Sequence, residues 1–425
     1  MLTKKSLFRV LALLVTGSLF LPIVFKNLPF PLHSPLVYII LWHSSLLIFY
    51  PKLYLHKLLF GVYIFVLIYL IGITTFWSDI KIQYGDNIDL SYVTNLILLV
   101  SQPLFMYAYF ISSGDRNGFL KVALISLLFI FISSVTSLIG LHIFPGASRS
   151  LAQGSASLTF MFHELYQKIG IINYSYYSAL AFLMPALAFL IKNENKNFYK
   201  IFYIVAVIVC MYSLIKAEHT TIIIFAVSLF LLGYIAPKDR RKANVVVVLL
   251  AVFGFIFSNY LADMLNWVGD ILSIDQGAKT SSRIYDLATA IKTKDFNPTT
   301  GNTYLASERI SRSLYSWKSF MENPLIGGGK SAGHAYWLDT LARFGVLGII
   351  PWVIIFNQYI KKNHLILNNS VLFLFDLSFV GLLLFGLIKN LGGGELWMVL
   401  FFVLPGIYLR YDKSNLSEKS NIPHC

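Results

Sequence analysis

The chain has 425 residues, 57% of them hydrophobic and only 13% charged, with a mean hydropathy of +0.69. A soluble domain is about half apolar and about a quarter charged, so the surplus must face lipid; apolar runs of roughly 16–22 residues suit helices crossing about 30 Å of hydrocarbon, whereas a barrel would show short alternating segments. The formal charge of +14 collects in short loops and forms no aromatic-interleaved basic tract, so nucleic acid is excluded as a partner.

The pattern predicts an all-α polytopic membrane protein of about twelve transmembrane helices. A first block, 1–261, holds nine spans at 7–25, 35–50, 58–77, 90–111, 121–140, 171–191, 201–216, 220–236 and 244–261. The amino-terminal stretch lacks a small-x-small cleavage site and reads as an uncleaved first helix. Cys210 lies inside an apolar run and Cys425 is the last residue, a spacing that suits neither a staple nor a metal site. A large outer loop, 262–342, follows, and then a last block, 343–425, with spans at 370–388 and 396–409 after one at 343–360 and a short tail. Basic residues alternate with this count. Lys4, Lys5, Arg9, Lys52, Lys57, Arg116, Lys192, Lys196, Lys200, Arg240, Arg241, Lys361, Lys362 and Arg410 share one side. That side is expected to be the cytoplasmic one of an inner membrane, with both termini on it.

Two outer segments, 141–170 and 262–342, are too long to be mere turns. In the longer one, Ser282 is placed to cap a helix Arg283–Lys294 and Ser307 a helix Glu308–Glu322, which stops at Asn323-Pro324. Ile310, Leu314, Trp317 and Met321 form one stripe of the second helix. Taking that stripe as core-facing, Arg309, Arg312 and Ser316 point elsewhere.

The most informative stretch is RISRSLYSWKSFMENPLIGGGKSAGHAYWLDTLARFGVLG, from Arg309 to Gly348. It reads as a basic helix, a proline stop, a glycine turn, and a histidine where the chain re-enters the membrane. Gly327 and Gly329 permit positive φ or a close backbone approach to a ligand, and serve a plain turn equally well. His334 opens the helix that runs through Leu338 and Leu341; it is either a structural residue or a proton acceptor beside several arginines. Arginine forks suit diphosphate groups. Asp339 and Arg343 are four apart, so an intrahelical ion pair is the simplest reading of both.

The run N-P-L-x-G-x-G followed by G-H-x-x-x-L-D-x-L-A-x-x-G resembles the signature of bacterial O-antigen and capsule repeat-unit polymerases of the Wzy type, which share a superfamily with the O-antigen ligases. The match is close over about 40 residues and loose elsewhere, through the span layout and the late outer loop. The resemblance puts the family's catalytic histidine on His334 and its helix-opening basic residue on Arg309 or Arg312. A further loop arginine falls on Arg283. Where the family has a Ser-Arg-Thr-like segment after the seventh span, this chain reads Lys216-Ala217-Glu218-His219-Thr220-Thr221. That departure leaves the diphosphate role to Lys216, His219 or, in the other outer loop, Arg149. Asp339, Arg343, Gly327 and Gly329 are supporting positions.

What the resemblance implies is transfer of a growing glycan from polyprenyl diphosphate onto a new lipid-linked repeat unit, without metal or other cofactor. The partners would be polyprenyl-diphosphate-linked oligosaccharide and membrane lipid, with a chain-length regulator and a flippase alongside. A ligase acting on lipid A–core is the first alternative, and the GHxxxLD form at His334 speaks against it. A polysaccharide-lipid transporter is the second. Transporters place charges and broken helices at mid-membrane, whereas Asp376 is the carboxylate that stands well inside a span here.

Overall fold

A computed structural model describes residues 3–75, 90–148, 159–237, 278–293, 304–391 and 393–411, together with 151, 242, 245 and most of 262–270. Every regular element among these residues is helical. We number the main helices α1 (Lys4–Phe20), α2 (Pro22–Phe25), α3 (Pro35–Phe49), α4 (Phe60–Thr75), α5 (Leu90–Ser112), α6 (Arg116–Ile143) and α7 (Thr159–Lys168). Then come α8 (Tyr174–Asn193), α9 (Asn197–Lys216), α10 (Thr220–Ile235), α11 (Ala278–Thr293), α12 (Tyr304–Glu322), α13 (Tyr336–Ile366) and α14 (Asn369–Ile388). The last, α15 (Gly394–Tyr408), passes through a π-helical turn at Val399–Val403.

Among the described residues, five helices (α6, α8, α9, α13 and α14) are long and apolar enough to cross a membrane, and α3, α10 and α15 are shorter apolar helices. The protein is membrane-embedded. The expected runs are largely helical where described, the run at 171–191 turning helical only at Tyr174. The run at 7–25 is broken: α1 ends at Phe20 and a separate turn starts at Pro22, because proline cannot supply the backbone donor. The expected span 244–261 lies outside the described residues except for Val245.

The core is built around α8, whose residues from Ser175 to Ile191 are all buried. It packs against α9, α10, α14 and α15. Gly233 of α10 lies so close to Pro185 that a Cβ there would stand 2.7 Å from the proline Cα, the close approach that small residues permit between membrane helices. A second cluster is aromatic, with Trp352 of α13 stacked on Trp397 of α15 at 4.8 Å.

The two ends of the bundle differ in chemistry. At one end Asp115 caps α6 through the Gly118 amide and grips Arg9 of α1 at 2.5 Å. Glu194, just past α8, pairs with Arg410 at 2.9 Å, and Lys192 Nζ donates to the carbonyls of Tyr234 and Ala236 at 3.0 Å, satisfying orphaned acceptors at the end of α10. Asp376 finds its partner across the α13–α14 hairpin in His364, at 2.6 Å. The opposite end gathers the start of α8, the α9–α10 turn, the α14–α15 turn and the loop before α13.

Candidate functional site

α12 begins before the expected cap, so Ser307 lies inside it, and Ser282 likewise lies inside α11. The apolar stripe is also turned the other way. Leu314, Trp317 and Met321 are exposed, while Ser316 and Ser319 are buried against the protein. Serine was the better marker of the packed face, because in a membrane protein an apolar surface need not be a core.

The buried serines organise the loop that carries His334. Ser316 Oγ donates to Asp339 at 2.7 Å and accepts the Ala332 amide at 3.0 Å. Ser319 Oγ accepts the Lys330 amide at 3.3 Å. The other oxygen of Asp339 accepts the Ala335 amide at 2.8 Å, closing the start of α13. Arg343 Nε donates to Ser331 Oγ at 2.6 Å. Asp339 and Arg343 therefore act as two anchors on the loop, each bonded to a different serine, in place of the expected pairing with each other. His334 sits exposed two residues before the first residue of α13, Tyr336, so it precedes the helix it was expected to open.

The glycines answer to α13 itself. Gly345 takes φ 60° and ψ −161°, breaking the helix. Segment 323–328 fills the break with backbone groups. The Val346 amide donates to Pro324 at 2.9 Å, the Leu347 amide to Leu325 at 3.1 Å, and the Gly328 amide to Ala342 at 2.9 Å. A Cβ on Gly327 would collide with the Arg343 carbonyl, and one on Gly345 with the Leu325 carbonyl. The close approach that the glycines permit is thus to the protein's own helix, and Gly329, with φ 73°, completes the turn.

At the same end lies a cluster of polar side chains. Glu218 has φ 56°, a left-handed conformation rare outside glycine, and tightens the turn that sets His219 at the head of α10. His219 Nε2 shares a 3.0 Å hydrogen bond with Ser148 Oγ and lies between the rings of Tyr174 and Tyr177, at 5.0 and 5.3 Å. Lys389 Nζ stands 5.7 Å from the Tyr174 ring. Glu395 accepts from Asn173 at 3.0 Å and Ser175 at 2.8 Å. Lys216 lies over Tyr212.

The His334 loop and this cluster are joined. The Tyr336 amide donates to the Lys389 carbonyl at 3.1 Å, which keeps the His334 backbone within about 10 Å of Lys389. α11, which carries Arg283, packs against both α10 and α12, and Arg312 is half-buried on α12. The side chains of Arg283 and Arg309, and all of Arg149, lie outside what is described. Lys389 and Glu395 were missed by sequence reasoning. Each is a charged residue at a helix end, Lys389 at the C-terminus of α14 and Glu395 in the first turn of α15, where it complements the helix dipole. The only signal was a Lys-x-x-Gly-Gly-Gly-Glu turn between two apolar runs.

No protein-family model matches the chain, and no curated protein or solved structure is significantly similar to it.

Proposed function

We propose that the protein is a polysaccharide repeat-unit polymerase of the inner membrane, crossing the bilayer about twelve times with the His334 end outward. The observation that carries this reading is the Tyr336–Lys389 hydrogen bond. Through it the exposed imidazole shares one end of the bundle with His219, Lys389, Glu395 and the half-buried Arg312. A hydroxyl of the incoming lipid-linked unit attacks the anomeric carbon of the growing chain. The new glycosidic bond forms as the bond to polyprenyl diphosphate breaks, and His334 takes the hydroxyl proton. Arg309 and Arg312 on α12, Arg283 on the neighbouring α11, and Lys216 and Lys389 neutralise the leaving diphosphate. Asp339 and Arg343 hold the loop and stay out of the chemistry.

The test is deletion of the gene followed by gel analysis of surface polysaccharide, with complementation. A polymerase mutant displays a single capped repeat unit. Loss of all surface glycan would indicate a ligase, and intracellular accumulation of lipid-linked units a flippase; either result overturns the proposal.

A further inference from the structure

The surface of α12 divides into three sectors, and the division is inverted relative to a helix packed on a soluble core. Ser316 and Ser319 are 1% and 3% exposed and face the protein. Leu314, Trp317 and Met321 are 50%, 43% and 57% exposed, and at 100° per residue they fall within one narrow stripe. Ser311, Lys318 and Glu322, also exposed, occupy the adjoining sector. A helix with a buried polar face, an outward apolar face and a charged border is not built for water on all its free sides.

The apolar stripe does not end with the helix. Leu325, in the segment that fills the break of α13, is 62% exposed. The backbone bonds from Val346 and Leu347 to Pro324 and Leu325 tie it to α13. That face of α13 continues outward-apolar through Val346, Ile350 and Val353. α13 is itself one of the helices long and apolar enough to cross a membrane. The exposed face of α12 is therefore continuous with a lipid-facing surface, and the occupant it fits is lipid.

We infer that α12 lies in the membrane interface, with Leu314, Trp317 and Met321 set into the acyl chains beside the His334 loop and Lys318 at headgroup level. Interfacial helices carry this combination of tryptophan, aliphatic residues and a basic edge. The inference rests on the membrane-embedded fold and is independent of any glycan chemistry. It puts the half-buried Arg312, on the same helix, at the height where a lipid-linked headgroup emerges.

The experiment uses the full chain in vesicles of phosphatidylethanolamine and phosphatidylglycerol. In a Cys210→Ala, Cys425→Ser background, single cysteines at Leu314, Trp317, Met321 and Lys318 carry an environment-sensitive fluorophore. Quenching by iodide and by brominated lipid is then compared. The expected result is strong lipid quenching and several-fold weaker iodide quenching at 314, 317 and 321 than at 318. Equal iodide access at all four positions would overturn the inference. Protection from both quenchers at the apolar positions would also overturn it, by indicating a protein that covers the face. Should the labelled variants fold poorly, Trp317→Phe alone gives the same information, since it should lower the fraction of intrinsic emission quenched by brominated lipid. An unchanged fraction would sink the idea.

Discussion

Asp339 and His334 stand five residues apart in the chain and answer to opposite demands. The carboxylate is buried and committed to Ser316 and the Ala335 amide; the imidazole stands exposed at the mouth of the same loop. A general base needs access to its proton donor, and its loss costs about 10² to 10⁴ in rate. His334→Ala and His334→Gln are therefore expected to lose turnover on a lipid-linked repeat unit while retaining substrate binding. Near-normal polymer formation by both purified variants would dismiss the role. At this scale the sequence was half informative. His334 stood out as a candidate because glycine, aromatic and leucine positions around it form a recognisable pattern. The serines at 316 and 331 did not, since their partners lie 23 and 12 residues away and nothing in the local spacing announces them. Lys389 and Glu395 were hidden for the same reason.

Most long apolar runs are helical where the structure describes them, and orientation was read least well. A 3.6-residue period reveals that α12 has an apolar face, but not whether that face meets protein or lipid. The break in α13 was likewise invisible, although its ingredients, Asn323-Pro324 and Gly345, were in plain view. It makes Gly345 a position where a methyl group should do clear harm. Its backbone conformation is one that only glycine adopts freely, costing other residues about 1–3 kcal/mol, and a Cβ would also strike the Leu325 carbonyl. Gly345→Ala is expected to lower the melting temperature in detergent by several degrees, whereas Gly114→Ala, also at positive φ but in open space, should do less. Equal shifts would show that the docked segment is unimportant.

For the whole molecule, the ion pairs at the basic end make stability depend on pH. Burial alone would raise the Asp115 carboxyl, but hydrogen bonding and charge from Arg9, with the Gly118 amide, hold it below the ordinary range. Glu194 is held down likewise, burial being outweighed by the Lys196 amide and Arg410. A lowered folded-state pKa means that the stabilisation is complete above the unfolded carboxylate value of about 4 and is lost as pH falls through the folded one. Thermal stability should hold level from about pH 7 to pH 5 and decline below about pH 4. Asp115→Asn is expected to cost about 1–2 kcal/mol at neutral pH, Arg9 being partly solvated, and to flatten the acid decline. An unaltered pH profile in that variant would remove the pair from the account. The same end carries the loop lysines, so reporter fusions at Lys242 and Asn302 are expected to report opposite sides of the membrane. Agreement between them would discard the twelve-span count and the outward placement of His334 together.

The break at Gly345 also bears on how the chain is made. Left open, it would present the amides of Val346 and Leu347 to hydrocarbon, where each unpaired group costs several kcal/mol. Their acceptors, Pro324 and Leu325, leave the ribosome about twenty residues earlier, roughly one to four seconds at ordinary elongation rates. The plug is thus synthesised before the helix that needs it, so α13 can be handed to the bilayer with its acceptors already waiting. Moving the same segment to the carboxy-terminal side of the helix would reverse that order and strand the amides during insertion.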